Sequence, residues 1–220
     1  MFDWGAPIRN LDLLMQGLAV TLQVTTLSFV FAFALGLVGA LARRSRVWPL
    51  RFVATVYVEA IRNTPVLLQI FVIFFGLPSV GIRFDAVTAG IIALSVNSGA
   101  YLTEIIRAGI QSISRGQIEA ATALGLSPAQ IFGRVVFPQA LRNIYPPVVN
   151  QFIMVLLGSS LLSAIAVPDL TGNALVVNSR TYRTVEVFSF VTVVYAALTL
   201  AASGLLNLLG RLLFPRATAR

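Results

Sequence analysis

The chain has 220 residues, of which 57% are hydrophobic and 11% charged; because about a quarter of a soluble domain is charged, this composition indicates a single membrane domain over residues 1–220. Cysteine, histidine and lysine are absent, which excludes disulfides, P-loop ATP hydrolysis, zinc and haem sites, and thiol or Ser-His catalysis, so no metal or cofactor is expected in this chain. The net charge of +8, with all 16 basic residues arginine, is attributed to loops that hold the protein in a bilayer and not to nucleic-acid binding.

Five stretches are apolar enough to cross a membrane, whose hydrocarbon core of about 30 Å is spanned by about 20 residues of helix. The predicted spans are residues 15–41, 52–77, 86–106, 140–167 and 187–210. The second is the least uniform, because Glu59 and Arg62 lie near its start and Pro65 in its middle. We expect Thr64-Pro65 to kink this span and to free backbone carbonyls that must be satisfied within the protein or in a wet cavity.

The distribution of arginine predicts the orientation. With the N-terminus outside, 11 arginines fall in cytoplasmic segments and 4 fall outside. Short cytoplasmic loops are enriched in arginine, so the sequence predicts an N-out, C-in topology. That topology requires an odd number of spans, and five is odd.

The longest segment between predicted spans, about residues 109–137, has the punctuation of two short helices. Ser114 and Gln117 have capping-box spacing, and Gly125 is expected to end a helix over Gln117–Leu124. Ser127-Pro128 is then expected to start a second helix that leads into the fourth span. A two-turn helix is marginal alone in water, so we expect the first helix to dock on its own bundle, on the lipid interface or on a cytoplasmic partner.

Three segments in order along the chain carry a family resemblance. Glu119-Ala120-Ala121, Gly125, Val135 and Phe137-Pro138 follow the spacing of the EAA loop of ABC importer permeases, with valine and phenylalanine where that pattern has isoleucine and leucine. Residues 59–65 and 97–109 resemble the branch of that family that transports polar amino acids (histidine, glutamine, glutamate, arginine and opines). The resemblance covers about residues 15–213.

The resemblance implies an all-α membrane protein of the type I ABC importer permease kind, with about five transmembrane helices and a coupling helix. It implies a permease that imports polar amino acids across the bacterial inner membrane as a multi-pass subunit. The implied partners are a second permease chain, identical or a sister, two ATPase subunits that hold ATP and Mg, and an extracytoplasmic amino-acid-binding protein. The chain itself would not be an enzyme.

The resemblance also assigns a coupling role to the first loop helix, which would seat in a cleft of the ATPase. Ala120 and Ala121 would allow close approach, and Gly125 would allow the sharp turn. The ATPase-coupling candidates are Glu119, Ala120, Ala121, Leu124 and Gly125.

Polar residues inside the spans are further candidates. Glu59 with Arg62 and Glu104 with Arg107 have i, i+3 spacing, and each is predicted to form an ion pair with a structural or gating role. Direct substrate contact by the Glu59–Arg62 pair is the alternative. The candidates for the substrate pathway are Asn97, Ser98, Tyr101, Ser160 and Asp169. Their alternatives are interhelical packing and, for Asp169, the cap of a short outer helix.

Two other functional classes stay open from the residues alone. A passive channel would need no long helical cytoplasmic loop, and no ring-forming filter sequence is present. An intramembrane enzyme would be restricted to Asp, Glu, Ser or Tyr chemistry. Both would work without a separate ATPase.

Overall fold

The computed structural model describes residues 4–214, and every regular element within that part of the chain is helical. The α-helices are α1 (Gly5–Arg9), α2 (Leu11–Arg43), α3 (Trp48–Arg62), α4 (Val66–Phe71), α5 (Ala86–Gln111), α6 (Arg115–Ala123), α7 (Pro128–Ile131), α8 (Phe137–Gly158), α9 (Leu170–Thr181) and α10 (Thr184–Leu213). A π turn and a 3₁₀ turn extend α4 to Val80, and a 3₁₀ segment extends α8 to Ile165.

Four helical segments of the described chain are long and apolar enough to cross a membrane by themselves. They are Leu11–Arg43, Ala86–Gln111, the continuous Pro128–Ile165 and Thr184–Leu213. Large apolar side chains on their outer faces are exposed, for example Val38 and Leu200 at 64% and 72%. Exposed apolar surface of this extent is expected where lipid replaces water as the solvent.

The second predicted span is a pair of helices and not one kinked helix. Trp48–Arg62 and Val66–Val80 are bent by 110°, with the break at residues 63–65. Proline donates no backbone hydrogen bond and disfavours the α conformation at the residue before it, and this explains the position of the break. Counted as one span, the pair gives the expected total of five.

Two π turns precede prolines in the helices. Val72–Gly76 lies before Pro78, and Phe132–Val136 lies before Pro138. In an α-helix each proline would clash with the carbonyl four residues earlier and leave it without a donor. The wider π turn avoids that clash, so α7 and α8 run on as one helix.

Helices α2 and α5 form the centre of the bundle and approach closely at glycine. A Cβ added at Gly39 would overlap Thr103 Oγ1, and one added at Gly36 would lie 2.6 Å from Leu102 Cβ. Small residues permit this approach, as in other membrane bundles. The α4 segment packs into the same core through Ile70, which is fully buried. The break therefore turns the second half of the broken span toward the centre of the protein.

Candidate functional site

The loop between α5 and α8 contains α6, which begins after Ser114. The Ser114 backbone has an extended N-cap conformation, but its side chain makes no capping hydrogen bond, so the expected Ser114–Gln117 capping box is not formed. A capping box is present at the next helix, where Ser127 Oγ accepts from the Gln130 N–H at 3.4 Å and Gln130 Oε1 accepts from the Ser127 N–H at 2.9 Å. The second loop helix therefore starts where the sequence predicts.

Gly125 ends α6 as predicted. Its φ is +77°, a left-handed conformation that glycine adopts without steric cost. The Gly125 N–H donates to Thr122 O at 2.9 Å and the Leu126 N–H donates to Ala121 O at 3.2 Å, which is the Schellman arrangement. These two bonds fix the direction in which the chain leaves α6.

The two faces of α6 differ in burial. Ala121 is 5% exposed and packs against Ile113, Ile131 and Val136. The small side chain of Ala121 therefore lets α6 approach its own loop, and its role in the approach of a partner stays a prediction. Leu124 is 81% exposed, and Glu119 and Ala120 are also exposed. The outward face of α6 thus carries the apolar Leu124 side chain, and the described part of the chain leaves most of that side chain uncovered.

A group of ion pairs joins the ends of α2, α3 and α5. Arg107 pairs with Glu104 as predicted, and its Nε lies 3.0 and 3.1 Å from the two carboxylate oxygens. Sequence spacing missed Arg43, whose Nη1 donates to Glu104 Oε2 at 2.6 Å. Arg43 is the last residue of α2, so no local spacing links it to Glu104. One carboxylate therefore pairs with two arginines from different helices.

The predicted Glu59–Arg62 pair is wrong. Glu59 Oε1 lies 3.9 Å from Arg43 Nη2, and the Arg62 guanidinium lies over the Tyr101 ring at 5.3 Å from its centroid. The observed partners, Arg43 on α2 and Tyr101 on α5, belong to other helices. These contacts replace the expected contact between Glu59 and Arg62 on α3. A guanidinium over an aromatic face is attracted by the ring quadrupole, so Arg62 connects α3 to α5.

Gln69 closes the break between α3 and α4. Its Nε2 donates to Ile61 O at 2.9 Å, to Thr64 O at 3.2 Å and to Thr64 Oγ1 at 2.8 Å. Its Oε1 accepts from Asn97 Nδ2 at 3.0 Å. The side chain therefore satisfies carbonyls at the break and ties them to α5, as the low polarity of a bilayer requires. Sequence reasoning missed Gln69, although it is the only polar side chain in Val66–Leu77.

The pathway candidates do not share one environment. Asn97 and Tyr101 are partly buried and contact the broken span, through Gln69 and Arg62 respectively. Ser98 is 3% exposed, within the helix packing. Ser160 Oγ donates to Leu157 O of its own helix at 2.7 Å.

Asp169 is fully buried and caps α9. It accepts from the Gly172 N–H at 2.8 Å and from the Tyr195 hydroxyl at 3.3 Å. Burial raises the pKa of Asp169 to about 6, against hydrogen bonds that act to lower it. The structure therefore gives Asp169 the capping arrangement that the sequence offered as its alternative.

Comparison with known proteins identifies the family. A family model described as "Binding-protein-dependent transport system inner membrane component" matches residues 32–218. This chain belongs to that family. The resemblance to ABC importer permeases and the all-helical fold class are thereby confirmed, and the family is one of membrane transport components, not enzymes.

Individual relatives match over nearly the whole chain. The probable glutamine ABC transporter permease protein GlnM of Bacillus subtilis (strain 168) is 40% identical over 194 residues, covering 88% of this chain and 90% of the relative. The glutamine transport system permease protein GlnP of Escherichia coli (strain K12) is 37% identical over 212 residues, covering 96% and 97%. A solved structure, "Crystal structure of an amino acid ABC transporter with histidines", matches with a TM-score of 0.91 and 40% identity, covering 96% of this chain and 99% of that one.

Proposed function

We propose that this chain is the permease subunit of an ATP-driven ABC importer for polar amino acids. The observation that carries the proposal is the full-length likeness to a solved amino acid ABC transporter chain, with a TM-score of 0.91. Relatives whose names specify glutamine transport support a polar substrate. The alternatives of a passive channel and of an intramembrane enzyme lack comparable support.

The proposed assembly places the chain in the bacterial inner membrane with its N-terminus outside. The 11-to-4 distribution of arginine supports this orientation and puts α6 in the cytoplasm. Two ATPase subunits that hold ATP and Mg would sit beneath a pair of permease chains, identical or not. A binding protein on the outer side would deliver the amino acid.

The α6 loop is proposed as the contact with the ATPase, through Glu119, Ala120 and Leu124. The Schellman turn at Gly125 and the packing of Ala121 make α6 rigid against its own loop, so a displacement of α6 moves the start of the helix that continues as α8. Asn143 Nδ2 also donates to Ser112 Oγ at 2.8 Å, which ties α8 to the end of α5. The helix bundle would then have two arrangements. ATP and the loaded binding protein would shift the equilibrium between them, because each binds one arrangement more tightly than the other.

Asn97 and Tyr101 are the residues proposed to line the substrate pathway. An amide and a hydroxyl suit a passing ligand that carries both an ammonium and a carboxylate and must be bound weakly. Both side chains adjoin the broken span, where the backbone direction changes. Ser98 is buried in the helix packing, and Ser160 and Asp169 have local hydrogen-bond partners, so these three are weaker candidates.

Leu124 and Leu126, the leucines on either side of Gly125, provide the test of the docking role of α6. Leu124 points outward, whereas Leu126 packs against the buried cluster of the loop. In proteoliposomes with the ATPase and binding protein, Leu124→Ser should keep wild-type stability and abundance but lose at least tenfold in amino-acid uptake and in stimulated ATP hydrolysis. Leu126→Ser should instead lower the unfolding temperature, because it removes apolar packing.

Two outcomes contradict the proposal. Wild-type coupled uptake by Leu124→Ser at equal membrane abundance would remove the docking role from α6. Uptake by the purified chain without ATPase, or no stimulation by any polar amino acid, would refute the importer assignment itself.

A further inference from the structure

A cavity of about 480 Å³ lies where α2 and α5 end beside α6, and its volume is within the range of small-molecule sites. Arg44, the C-cap of α2, and Arg115, the first residue of α6, both line it. Ile118 of α6 and Phe132 of the following π turn line it as well. One cavity therefore combines two cationic side chains with apolar ones.

Both arginines are available to a ligand. They are exposed, and within residues 4–214 neither guanidinium has an ion pair or a hydrogen bond. The described residues that line the cavity include no carboxylate, and the nearby Glu104 is already engaged with other arginines. Guanidinium groups present paired N–H donors that match the oxygens of a phosphate, so the cavity favours an anion of this kind.

Gln111, the last residue of α5, adds a third donor to the lining. Its Oε1 accepts from Arg107 Nη1 at 2.6 Å, which leaves the Nε2 hydrogens free to donate to a ligand. The positive end of α6 lies at Arg115, and the Ser114 side chain does not cap it. The carbonyl ends of α2 and α5 oppose an anion with about half a negative charge each, and the two full positive charges outweigh them.

The rest of the lining is apolar. Ile110, Ile113 and Val136 belong to the buried cluster of the loop or pack against it. Ile118 and Phe132 are only partly covered, at 37% and 47% exposed. A small anion would leave these two side chains in contact with water, whereas an amphiphile would cover them. The lining as a whole therefore matches an anionic group that is attached to hydrocarbon.

The cavity lies at the ends of two helices that are apolar enough to span a membrane, α2 and α5. These ends lie side by side, because Arg43 at the end of α2 pairs with Glu104 near the end of α5. Arg44 directly follows the first of these spans, and Gln111 ends the second. Arginine at the end of a span lies at the depth of the lipid headgroups, and this position favours a membrane lipid as the amphiphile.

The cavity side of α6 differs from the side proposed to contact the ATPase. At 3.6 residues per turn, Arg115 and Ile118 lie about 160° around the helix from the centre of Glu119, Ala120 and Leu124. A ligand in the cavity is therefore compatible with that contact.

We propose that Arg44 and Arg115 bind the phosphate of an anionic phospholipid, with Gln111 as a further donor. The glycerol backbone and the first part of the acyl chains cover the apolar wall, and the remaining chain length lies in the bilayer. The bound lipid braces α6 against the ends of α2 and α5. Assigning the lipid to the cytoplasmic leaflet rests on the proposed function, but binding itself does not.

The test uses the purified protein, with the subunits that co-purify, in a mild detergent. Phosphatidylglycerol and phosphatidylcholine are titrated separately, and bound lipid is counted by native mass spectrometry. We expect at least tenfold tighter binding of phosphatidylglycerol to the wild type, and equal binding of the two lipids would overturn the proposal. At about fivefold for each arginine near an anionic headgroup, Arg44→Gln/Arg115→Gln should weaken phosphatidylglycerol binding about 25-fold.

Matched variants separate the cavity from general surface charge. Arg46→Gln/Arg134→Gln removes the same charge from the same two loops, at exposed positions outside the lining, and should change the affinity less than threefold. Both glutamine pairs should keep the wild-type unfolding temperature, because all four arginines are exposed. Ile118→Ser keeps both cavity arginines and should weaken phosphatidylglycerol binding at least threefold through lost apolar contact. Equal losses in the two glutamine pairs, or no loss with Ile118→Ser, would overturn the proposal.

Three measurements on the wild type identify the occupant. Competition by millimolar inorganic phosphate would assign the cavity to a soluble anion and overturn the lipid proposal. Phosphatidylglycerol binding by the chain alone but not by the assembly would assign the cavity to a partner subunit and also overturn it. A photoreactive phosphatidylglycerol should label peptides from α6 and the end of α5, and labelling confined to other helices would contradict the proposal. None of these measurements requires ATP or an amino acid, so their failure would leave the importer assignment intact.

Discussion

Glu104 and Glu59 both pair with Arg43. Their surroundings predict very different effects on stability when each carboxylate is replaced. Glu104 Oε2 lies 2.6 Å from Arg43 Nη1, and the Glu104 side chain is 21% exposed. Glu59 Oε1 lies 3.9 Å from Arg43 Nη2, and the Glu59 side chain is 59% exposed. We therefore expect Glu104→Gln to destabilise the bundle strongly and Glu59→Gln to be nearly neutral.

The magnitude follows from what each variant leaves behind. Glu104→Gln leaves Arg43 and Arg107, 16% and 28% exposed, without the carboxylate that pairs with both. Breaking a buried pair costs about 3–5 kcal/mol, and partial exposure reduces this to about 2–3 kcal/mol. An exposed pair contributes at most about 1 kcal/mol. The two substitutions should thus differ by about 2 kcal/mol in the free energy of unfolding.

The assay is reversible unfolding in mixed micelles, followed by the fluorescence of the native tryptophans. A double-mutant cycle with Arg43→Gln isolates the coupling to Glu104. Because removing both partners leaves fewer uncompensated charges, the double variant should be less destabilised than the sum of the single variants. Equal effects of Glu104→Gln and Glu59→Gln, or a Glu104→Gln effect below about 0.5 kcal/mol, would refute the reasoning.

Three further predictions concern packing, the helix break and pH. Gly39→Val should destabilise the bundle by about 1–3 kcal/mol through overlap with α5, whereas Gly204→Ala, where a Cβ meets nothing within 4 Å, should be neutral or stabilising in the same unfolding assay. Gln69→Leu should lower stability by about 1–3 kcal/mol, because carbonyls at the break lose their donor; an unchanged unfolding free energy would contradict that role. Since burial raises the pKa of Asp169 from 3.8 to about 6, the native state binds more protons than the unfolded state, and wild-type stability should fall by about 2 kcal/mol as pH rises from about 4 to 6. Asp169→Asn keeps a capping side chain and should abolish that fall, so a wild type whose stability is flat over this range would argue against it.

The sequence was most informative where the chemistry is local. Hydropathy predicted the long apolar helices, and the backbone freedom of glycine placed the end of α6 at Gly125. Ser127-Pro128 likewise marked the next helix start. These signals depend on residues within one or two turns of each other, which sequence spacing records directly.

The sequence was least informative where direction or distant partners decide the structure. The composition of residues 52–77 predicts an apolar segment but not a 110° change of direction within it. Arg43 and Glu104 are 61 positions apart, so their pairing depends on how α2 crosses α5. The inward orientation of Ala121 likewise depends on packing against Ile131 and Val136, beyond the reach of a motif.

The π turn at Phe132–Val136 has a consequence for comparisons of length among related chains. A π turn holds one residue more than the α-helical pitch requires, so faces downstream of it are rotated by about 100° relative to an uninterrupted helical wheel. Pro138 lies two residues after this turn. A one-residue gap between the loop and the fourth span in an alignment of related chains would therefore mark a change in helical phase with no loss of a functional side chain.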